Sequence, residues 1–270
     1  MLKQRVLTAL ILLPLALGII LFAPLPLFDV AVLAVVLLLG LEYFALCAIP
    51  RPLQWLFTAA TVVLPGAVFA GFFAIGGWLL LAAVILWLLM PLWFVRRPVL
   101  PGVIKAFIGV TLLAATGIAL HDLKALSLDG RWLLFAFLLV WAADTGAYFA
   151  GRRFGRHKLA PSISPGKTWE GVAGGLLLTL VAGTLAVIVL PAEMSPAWFL
   201  LIAVVFAVSV VGDLFESLLK RQAGVKDSGT LLPGHGGVLD RLDSLLAAAP
   251  MLIVAGTKFG IFEGVWALGR

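Results

Sequence analysis

The 270-residue chain has one cysteine, three histidines and two tyrosines, and only 12% of its residues are charged. The single cysteine, Cys47, excludes an intrachain disulfide and a thiolate metal centre. It sits in an apolar run and reads as a small buried side chain. The histidines do not cluster, which removes the ligand set that zinc selects. The shortage of charge, set against 63% apolar residues and a mean hydropathy of +1.17, excludes an ordinary soluble domain, where apolar residues make up roughly half. A net charge of +6 would point to nucleic acid in a soluble protein. In a chain this apolar its distribution over the loops matters instead, and no nucleic-acid partner is expected.

Apolar runs are what the chain has in abundance. Crossing a bilayer takes about 20 helical residues at ~1.5 Å each, and runs of that order recur at 6–23, 29–48, 53–73, 77–95, 103–121, 131–150, 171–190, 197–215 and 245–267. The expected fold class is all-α: a polytopic integral membrane protein with about nine transmembrane helices. A single membrane-embedded domain is expected over 1–270, with N-terminal helices over 1–130 and catalytic helices and cytoplasmic loops over 131–270. Prolines such as Pro24, Pro50, Pro98, Pro101, Pro191 and Pro196 mark most of the breaks. Lys3 and Arg5 precede the first run as they would in a signal peptide. Pro24 and Pro26 follow it without a small-residue cleavage site, so the run is read as a retained span.

Orientation follows from lysine and arginine placement. With the N-terminus cytoplasmic, 15 of the 19 basic residues fall on inside segments. The outside set is Lys124, Arg131, Lys258 and Arg270. Two polar stretches, 141–171 and 217–243, then share the cytoplasmic side. Asp29, Asp122, Asp129 and Glu193 read as outer-loop residues. Glu42 lies deep in the second run and is expected to face the interior, opposite a basic group. Lys258 and Glu263 are placed to pair or to snorkel near the last run.

The first polar stretch holds Asp144 near the end of the sixth run, where a carboxylate is costly by about 2.5–3.5 kcal/mol. Ser164, Lys167, Thr168 and Glu170 precede or open the seventh run, and a helix N-terminus beside a lysine is a phosphate cradle. Arg152, Arg153, Arg156 and Lys158 read equally as phosphate contacts or as ordinary positive-inside residues. Gly166-Lys167-Thr168 matches the tail of a P-loop, but Pro161 stands where that motif requires glycine, and no β-strand is expected before it. Gly171 and Gly175 have the GxxxG spacing of close helix packing.

The second stretch concentrates charge. Asp213, Glu216, Ser217 and Lys220 share one helical face, and Asp240 and Asp243, three apart, share another. Convergence of Asp213, Asp240 and Asp243 beside basic residues would hold Mg²⁺ through hard oxygen ligands, with substrate phosphates completing its shell. Lys220, Arg221 and Lys226 would take phosphate charge. His235, set among glycines, reads either as a general base or as a turn residue.

The stretch SLLKRQAGVKDSGTLLPGHGGVLDRLD, from Ser217 to Asp243, resembles the hallmark of the phosphatidate cytidylyltransferase (CDP-diacylglycerol synthase) family. The matching positions are Ser217, Lys220-Arg221, Lys226-Asp227, Pro233, His235-Gly236-Gly237, Asp240-Arg241 and Asp243. DTGAYFAGRRFG from Asp144 and SPGKTWEG from Ser164 resemble further family motifs, with Gly166 standing where a second lysine is common. The resemblance covers the C-terminal half, while the first ~130 residues match only in span number and apolar character.

The resemblance implies that CTP and phosphatidic acid give CDP-diacylglycerol and pyrophosphate with Mg²⁺, on the cytoplasmic side of a bacterial-type inner membrane. It assigns catalysis to Asp213, Asp240, Asp243, Lys220, Arg221 and His235. Substrate binding falls to Ser217, Lys226, Asp227, Arg241, Asp144, Ser164, Lys167, Thr168 and Glu170. A phosphatidate oxygen would attack the CTP α-phosphorus in line, and an anionic nucleophile needs no strong base, which leaves His235 a positioning or phosphate-binding role. The sequence leaves open a second, monovalent cation and a homodimer. Two other classes stand beside this reading. One is a CTP-dependent kinase or transferase acting on another lipid such as a polyprenol. The other is an ion-coupled transporter using Asp144, Asp213 and Glu42, against which the lack of an internal repeat counts.

Overall fold

A computed structural model describes residues 2–72, 74–96 and 98–262, with the side chains of 2–7 and 9 outside that description. Arg97, Glu263, Arg270 and the side chains of Lys3 and Arg5 lie outside the described residues. So do the expected Glu263 partner of Lys258 and the last residues of the ninth run. Among the described residues there are nine helices: α1 (Leu2–Phe22), α2 (Leu25–Ala45), α3 (Arg51–Phe69), α4 (Gly76–Arg96), α5 (Gly102–Leu126), α6 (Arg131–Phe154), α7 (Trp169–Ala186), α8 (Pro196–Gln222) and α9 (Leu239–Lys258). The seven from α2 to α8 are long and apolar enough to cross a membrane. The protein is a polytopic membrane protein. In α1 the shorter segment Leu10–Phe22 is the apolar part, and α9 carries Asp240, Arg241, Asp243 and Lys258 within its length.

Prolines set several of the helix starts, as expected of a residue with a fixed φ and no N–H to satisfy. Pro24, Pro50 and Pro101 are the N-cap residues of α2, α3 and α5. Ser195 caps α8 by accepting from Trp198 N at 3.2 Å. Helix α5 is the central post, the most enclosed of the seven spans, and it packs against α2, α3, α4 and α9. Outside this core, large apolar side chains such as Trp55, Phe72, Leu88, Phe107 and Ile188 are exposed. That is the surface a lipid-facing bundle presents.

The two ends of the bundle differ. At one end Lys124 Nζ, fully buried, donates to Ile20 O at 2.7 Å and Leu128 O at 2.5 Å. His121 Nδ1 meets Asp29 Oδ1 at 2.7 Å, and Arg131 donates to Val189 O at 2.9 Å. Asp29, Asp122 and Lys124 are therefore helical residues, not loop residues as expected, because α2 begins and α5 ends several residues beyond their apolar runs. At the other end Thr8 Oγ1 donates to Pro233 O at 3.1 Å and Gln222 to Pro98 O at 3.4 Å. The polar segment between α6 and α7 and the one between α8 and α9 both lie at this second end.

The segment between α6 and α7 contains an unexpected antiparallel hairpin, β1 (Lys158–Ala160) and β2 (Ser164–Thr168). Strand structure does precede Lys167, contrary to expectation. The P-loop is still excluded, because Pro161 replaces the required glycine and the strands form a hairpin, not a parallel strand running into a glycine-rich loop. The reading of Gly171 and Gly175 as packing residues holds. A Cβ on Gly175 would stand 2.9 Å from Ala143 O, and α6 and α7 make the most extensive helix pair of the bundle.

Between those glycines, a Cβ on Gly174 would collide with Ala150 Cβ and stand 2.9 Å from Gly146 O. Gly174→Val is expected to destabilise the protein by about 1–3 kcal/mol through overpacking, read as a lower midpoint of unfolding in detergent.

Candidate active site

Helices α8 and α9 enter the polar end side by side. Gly212 sets their approach: a Cβ there would stand 2.6 Å from Asp243 O and 3.0 Å from Ala247 Cβ. The contact places Asp213, the next residue of α8, beside Asp243 on α9. Asp144 on α6 and Lys167 on β2 are close enough to both to interact electrostatically. Lys167 Nζ forms an ion pair with Asp213 Oδ2. Three carboxylates thus surround a single ammonium group.

Asp144, Asp213 and Lys167 face a cavity of about 410 Å³ whose walls also include Arg152, Thr168 and Ser244, with Leu159, Val172 and Phe206 as apolar lining. Asp243 is within electrostatic reach of all three without lining the cavity itself. A pocket with an apolar wall and a charged floor suits a ligand with one greasy and one ionic part. Arg152 hydrogen-bonds Tyr148 Oη at 2.8 Å on the same wall, so of the basic residues read two ways, Arg152 is the one placed at the cavity.

A second network lies alongside. Lys220 Nζ sits 2.6 Å from Glu216 Oε2 and 2.6 Å from Asp240 Oδ1, bridging α8 to α9. Asp240 Oδ2 accepts from Ser228 N at 2.9 Å, Gly237 N at 2.8 Å and Ser228 Oγ at 3.1 Å. Both Asp240 oxygens are therefore taken. Glu216 Oε1 is buried with no hydrogen-bond partner.

This arrangement corrects the expected metal trio. Among the described residues no group of three or more His, Cys, Asp or Glu side chains is arranged to hold a metal ion. Asp240 belongs to the Lys220 network, while Asp213 lines the cavity and Asp243 lies within electrostatic reach of Asp213, Asp144 and Lys167. Residues three apart on a helix are about 60° apart in azimuth, which is enough to send Asp240 and Asp243 to different neighbours. Mg²⁺ needs only one or two carboxylates when substrate phosphates complete its shell. Asp213 and Asp243, with Asp144 adjacent, fit that smaller requirement; the three-carboxylate cage does not form.

The remaining expected residues divide by location. Thr168 caps α7, its Oγ1 accepting from Gly171 N at 3.1 Å, and lines the cavity. Glu170 turns back onto the loop before β1, accepting from Arg156 N at 3.1 Å and His157 N at 3.2 Å and meeting His157 Nδ1 at 2.6 Å. Ser164 opens β2 opposite Ala160, outside the cavity lining. Ser217 is half-buried on α8, and Arg221, Lys226 and Asp227 are exposed around the loop. Arg241 Nη2 donates to His235 O at 2.6 Å and so braces the turn. His235 is half-buried, with Nδ1 buried and unpartnered.

Sequence reasoning missed the role of Glu42. It faces the interior as expected, but its partners are not basic. Oε1 accepts from Val238 N at 3.0 Å, and Oε2 accepts from Leu239 N at 2.8 Å. Oε2 also lies 3.0 Å from Ser228 Oγ. Val238, the N-cap of α9, makes no side-chain cap of its own, so Glu42 supplies it from α2. Backbone donors leave no mark in a sequence, and only the buried acid at membrane depth could have pointed there.

A cytidylyltransferase family model matches residues 3–259. The chain belongs to the cytidylyltransferase family. It is 42% identical over 258 residues to the phosphatidate cytidylyltransferase of Pseudomonas aeruginosa, covering 93% of this chain and 95% of that one. The phosphatidate cytidylyltransferase of Haemophilus influenzae is 55% identical over 123 residues, 44% of this chain and 43% of its own. That of Staphylococcus epidermidis is 49% identical over 123 residues, 45% of this chain and 47% of its own. The apolar and ionic walls of the cavity belong to a cytidylyltransferase whose motif residues lie on four different helices, a hairpin and the loop between α8 and α9.

Lys220 is the one cation between two enclosed carboxylates of this cytidylyltransferase. Lys220→Met is expected to cost about 3–5 kcal/mol, the penalty of leaving buried charge uncompensated, read as a shifted unfolding midpoint. A shift below 1 kcal/mol would show that the bridge contributes little to the fold.

Proposed function

We propose that the protein is a phosphatidate cytidylyltransferase that joins CTP and phosphatidic acid into CDP-diacylglycerol and pyrophosphate at the Lys167–Asp213 cavity. The observation that carries the site is the conjunction of Asp144, Asp213 and Lys167 at one cavity with an apolar wall, with Asp243 in electrostatic reach of them, at the polar end of a membrane bundle. The reaction class rests on likeness along nearly the full chain to the Pseudomonas aeruginosa phosphatidate cytidylyltransferase.

In this reading the phosphatidate phosphate oxygen attacks the α-phosphorus of CTP. A new P–O bond forms as the bond to the β-phosphate breaks, and pyrophosphate departs with the electron pair. Lys167 exchanges its Asp213 partner for nucleotide phosphate. The exchange frees the Asp213 carboxylate, and Asp213 and Asp243 are the residues that would hold Mg²⁺. When bound, Mg²⁺ supplies positive charge that offsets the charge gathering on the phosphate oxygens. Arg152, on the cavity wall, is placed to take phosphate charge of the lipid, while Leu159, Val172 and Phe206 accept its apolar part. Lys220 and Asp240 form the frame beside the reacting groups. The attacking oxygen is already anionic, so no base is assigned, and His235 serves the turn.

A monovalent cation, a homodimer and a cytoplasmic-facing site are carried into the proposal by the family resemblance and by the basic-residue distribution. The resemblance likewise carries Ser164, Glu170, Ser217, Arg221, Lys226, Asp227 and Arg241 as surroundings of the substrate.

Purified enzyme in detergent, given labelled CTP, phosphatidate and Mg²⁺, is expected to release pyrophosphate and form CDP-diacylglycerol. CDP release with phosphorylation of a lipid hydroxyl would instead identify a kinase. Asp213→Asn is expected to lower kcat by about 100-fold or more, and Lys167→Ala to raise the KM for CTP by about tenfold. Near-normal kinetics in both variants would remove the cavity from the reaction.

A further inference from the structure

Glu42 stands in the last turn of α2, buried, in a span that contributes nothing else to the site. An anion at a helix C-terminus opposes the helix dipole, and a carboxylate at membrane depth is costly. Both penalties are offset in one place: the carboxylate faces the N-terminus of α9, where the dipole is favourable and the first N–H groups lack intrahelical partners. Val238 N and Leu239 N fill that role at 3.0 and 2.8 Å. Gly237 closes over the carboxylate so tightly that a Cβ there would collide with Oε2.

The contact reaches the Asp240 network through one atom. Ser228 Oγ lies 3.0 Å from Glu42 Oε2 and 3.1 Å from Asp240 Oδ2. A hydroxyl carries one proton and donates to one carboxylate at a time. The rest of Asp240 is held by Ser228 N, Gly237 N and Lys220. One backbone donor belongs to Ser228, which Glu42 also holds through its hydroxyl, and the other to Gly237, next to Val238, so a shift of Glu42 moves the loop, the first turn of α9 and the Asp240 carboxylate together.

We propose that Glu42 is a positioning residue for turnover: from α2 it clamps the 228–239 segment and so sets Asp240 and Lys220 in register beside the substrate cavity. The proposal rests on the cytidylyltransferase reading for its kinetic readout. Its structural half, the clamp, stands without it. The near-isosteric Glu42→Gln separates the clamp from packing, because an amide keeps one acceptor oxygen and turns an N–H₂ donor toward an N–H donor.

The test compares wild type and Glu42→Gln in detergent by steady-state kinetics, normalised to folded monodisperse protein, and by hydrogen–deuterium exchange. Displacements of an ångström near a reacting centre change rates by about 100-fold. Glu42→Gln is therefore expected to lower kcat by about 10- to 100-fold, with the KM for CTP within about threefold and faster exchange confined to 228–239. A merely structural role would lower the folded yield and leave kcat per folded molecule unchanged. That result, or unaltered exchange over 228–239, overturns the proposal. Should Glu42→Gln not fold, Ser228→Ala cuts the link to Asp240 while sparing the two backbone contacts. It is expected to lower kcat by about three- to tenfold, and a kcat within about 1.5-fold of wild type overturns the proposal. If wild type makes no CDP-diacylglycerol, the functional reading fails and the exchange comparison alone decides the clamp.

Discussion

The structure depends on compensating carboxylates that sit where water is scarce. Glu216 and Asp240 share Lys220, Asp213 takes Lys167, and Glu42 takes backbone N–H groups. Each solution joins elements distant in the chain: α8 to α9, β2 to α8, and α2 to α9. A bundle of apolar helices in lipid has little hydrophobic drive to choose one arrangement over another, since lipid tails and leucines are equally greasy. Polar contacts of this kind supply the choice. They bring the helices into one register and, in doing so, leave charge at the cavity floor.

Division of labour follows from the same contacts. The Lys220 network is saturated, apart from one oxygen of Glu216, and is suited to hold shape. The Asp213–Asp243–Asp144 group has three carboxylates and one lysine, an unbalanced set that a cation would balance. Two aspartates three residues apart on α9 thereby meet different partners, Asp240 the Lys220 ammonium and Asp243 the group around Asp213, Asp144 and Lys167.

The helices were legible in the sequence because a twenty-residue apolar run, in a chain so poor in charge, has nowhere stable to sit but a bilayer. The shared location of the two polar segments was legible from lysines and arginines, and the packing role of Gly171 and Gly175 from their spacing. Three features were not. The hairpin is short, contains Pro161 and Pro165, and carries no alternation long enough to announce a strand. The separation of Asp240 from Asp243 depends on which neighbour each azimuth meets, a tertiary fact. Glu42 binds main-chain donors 196 and 197 residues away, and any residue would have offered the same N–H.

The hairpin between α6 and α7 has a consequence for how such an enzyme can change. Lys167 hangs on β2, while Glu170 fastens the loop before β1 through Arg156 and His157. The excursion begins and ends on neighbouring helices and is seated on the apolar core by Ile163, which is buried. Its exposed tip, Pro161 and Ser162, can therefore change chemistry while Ile163 keeps the hairpin seated on the spans. Over evolutionary time, tuning of what the lysine reaches is decoupled from the constraints of the bilayer. New selectivity could arise in this fold at low cost to its stability.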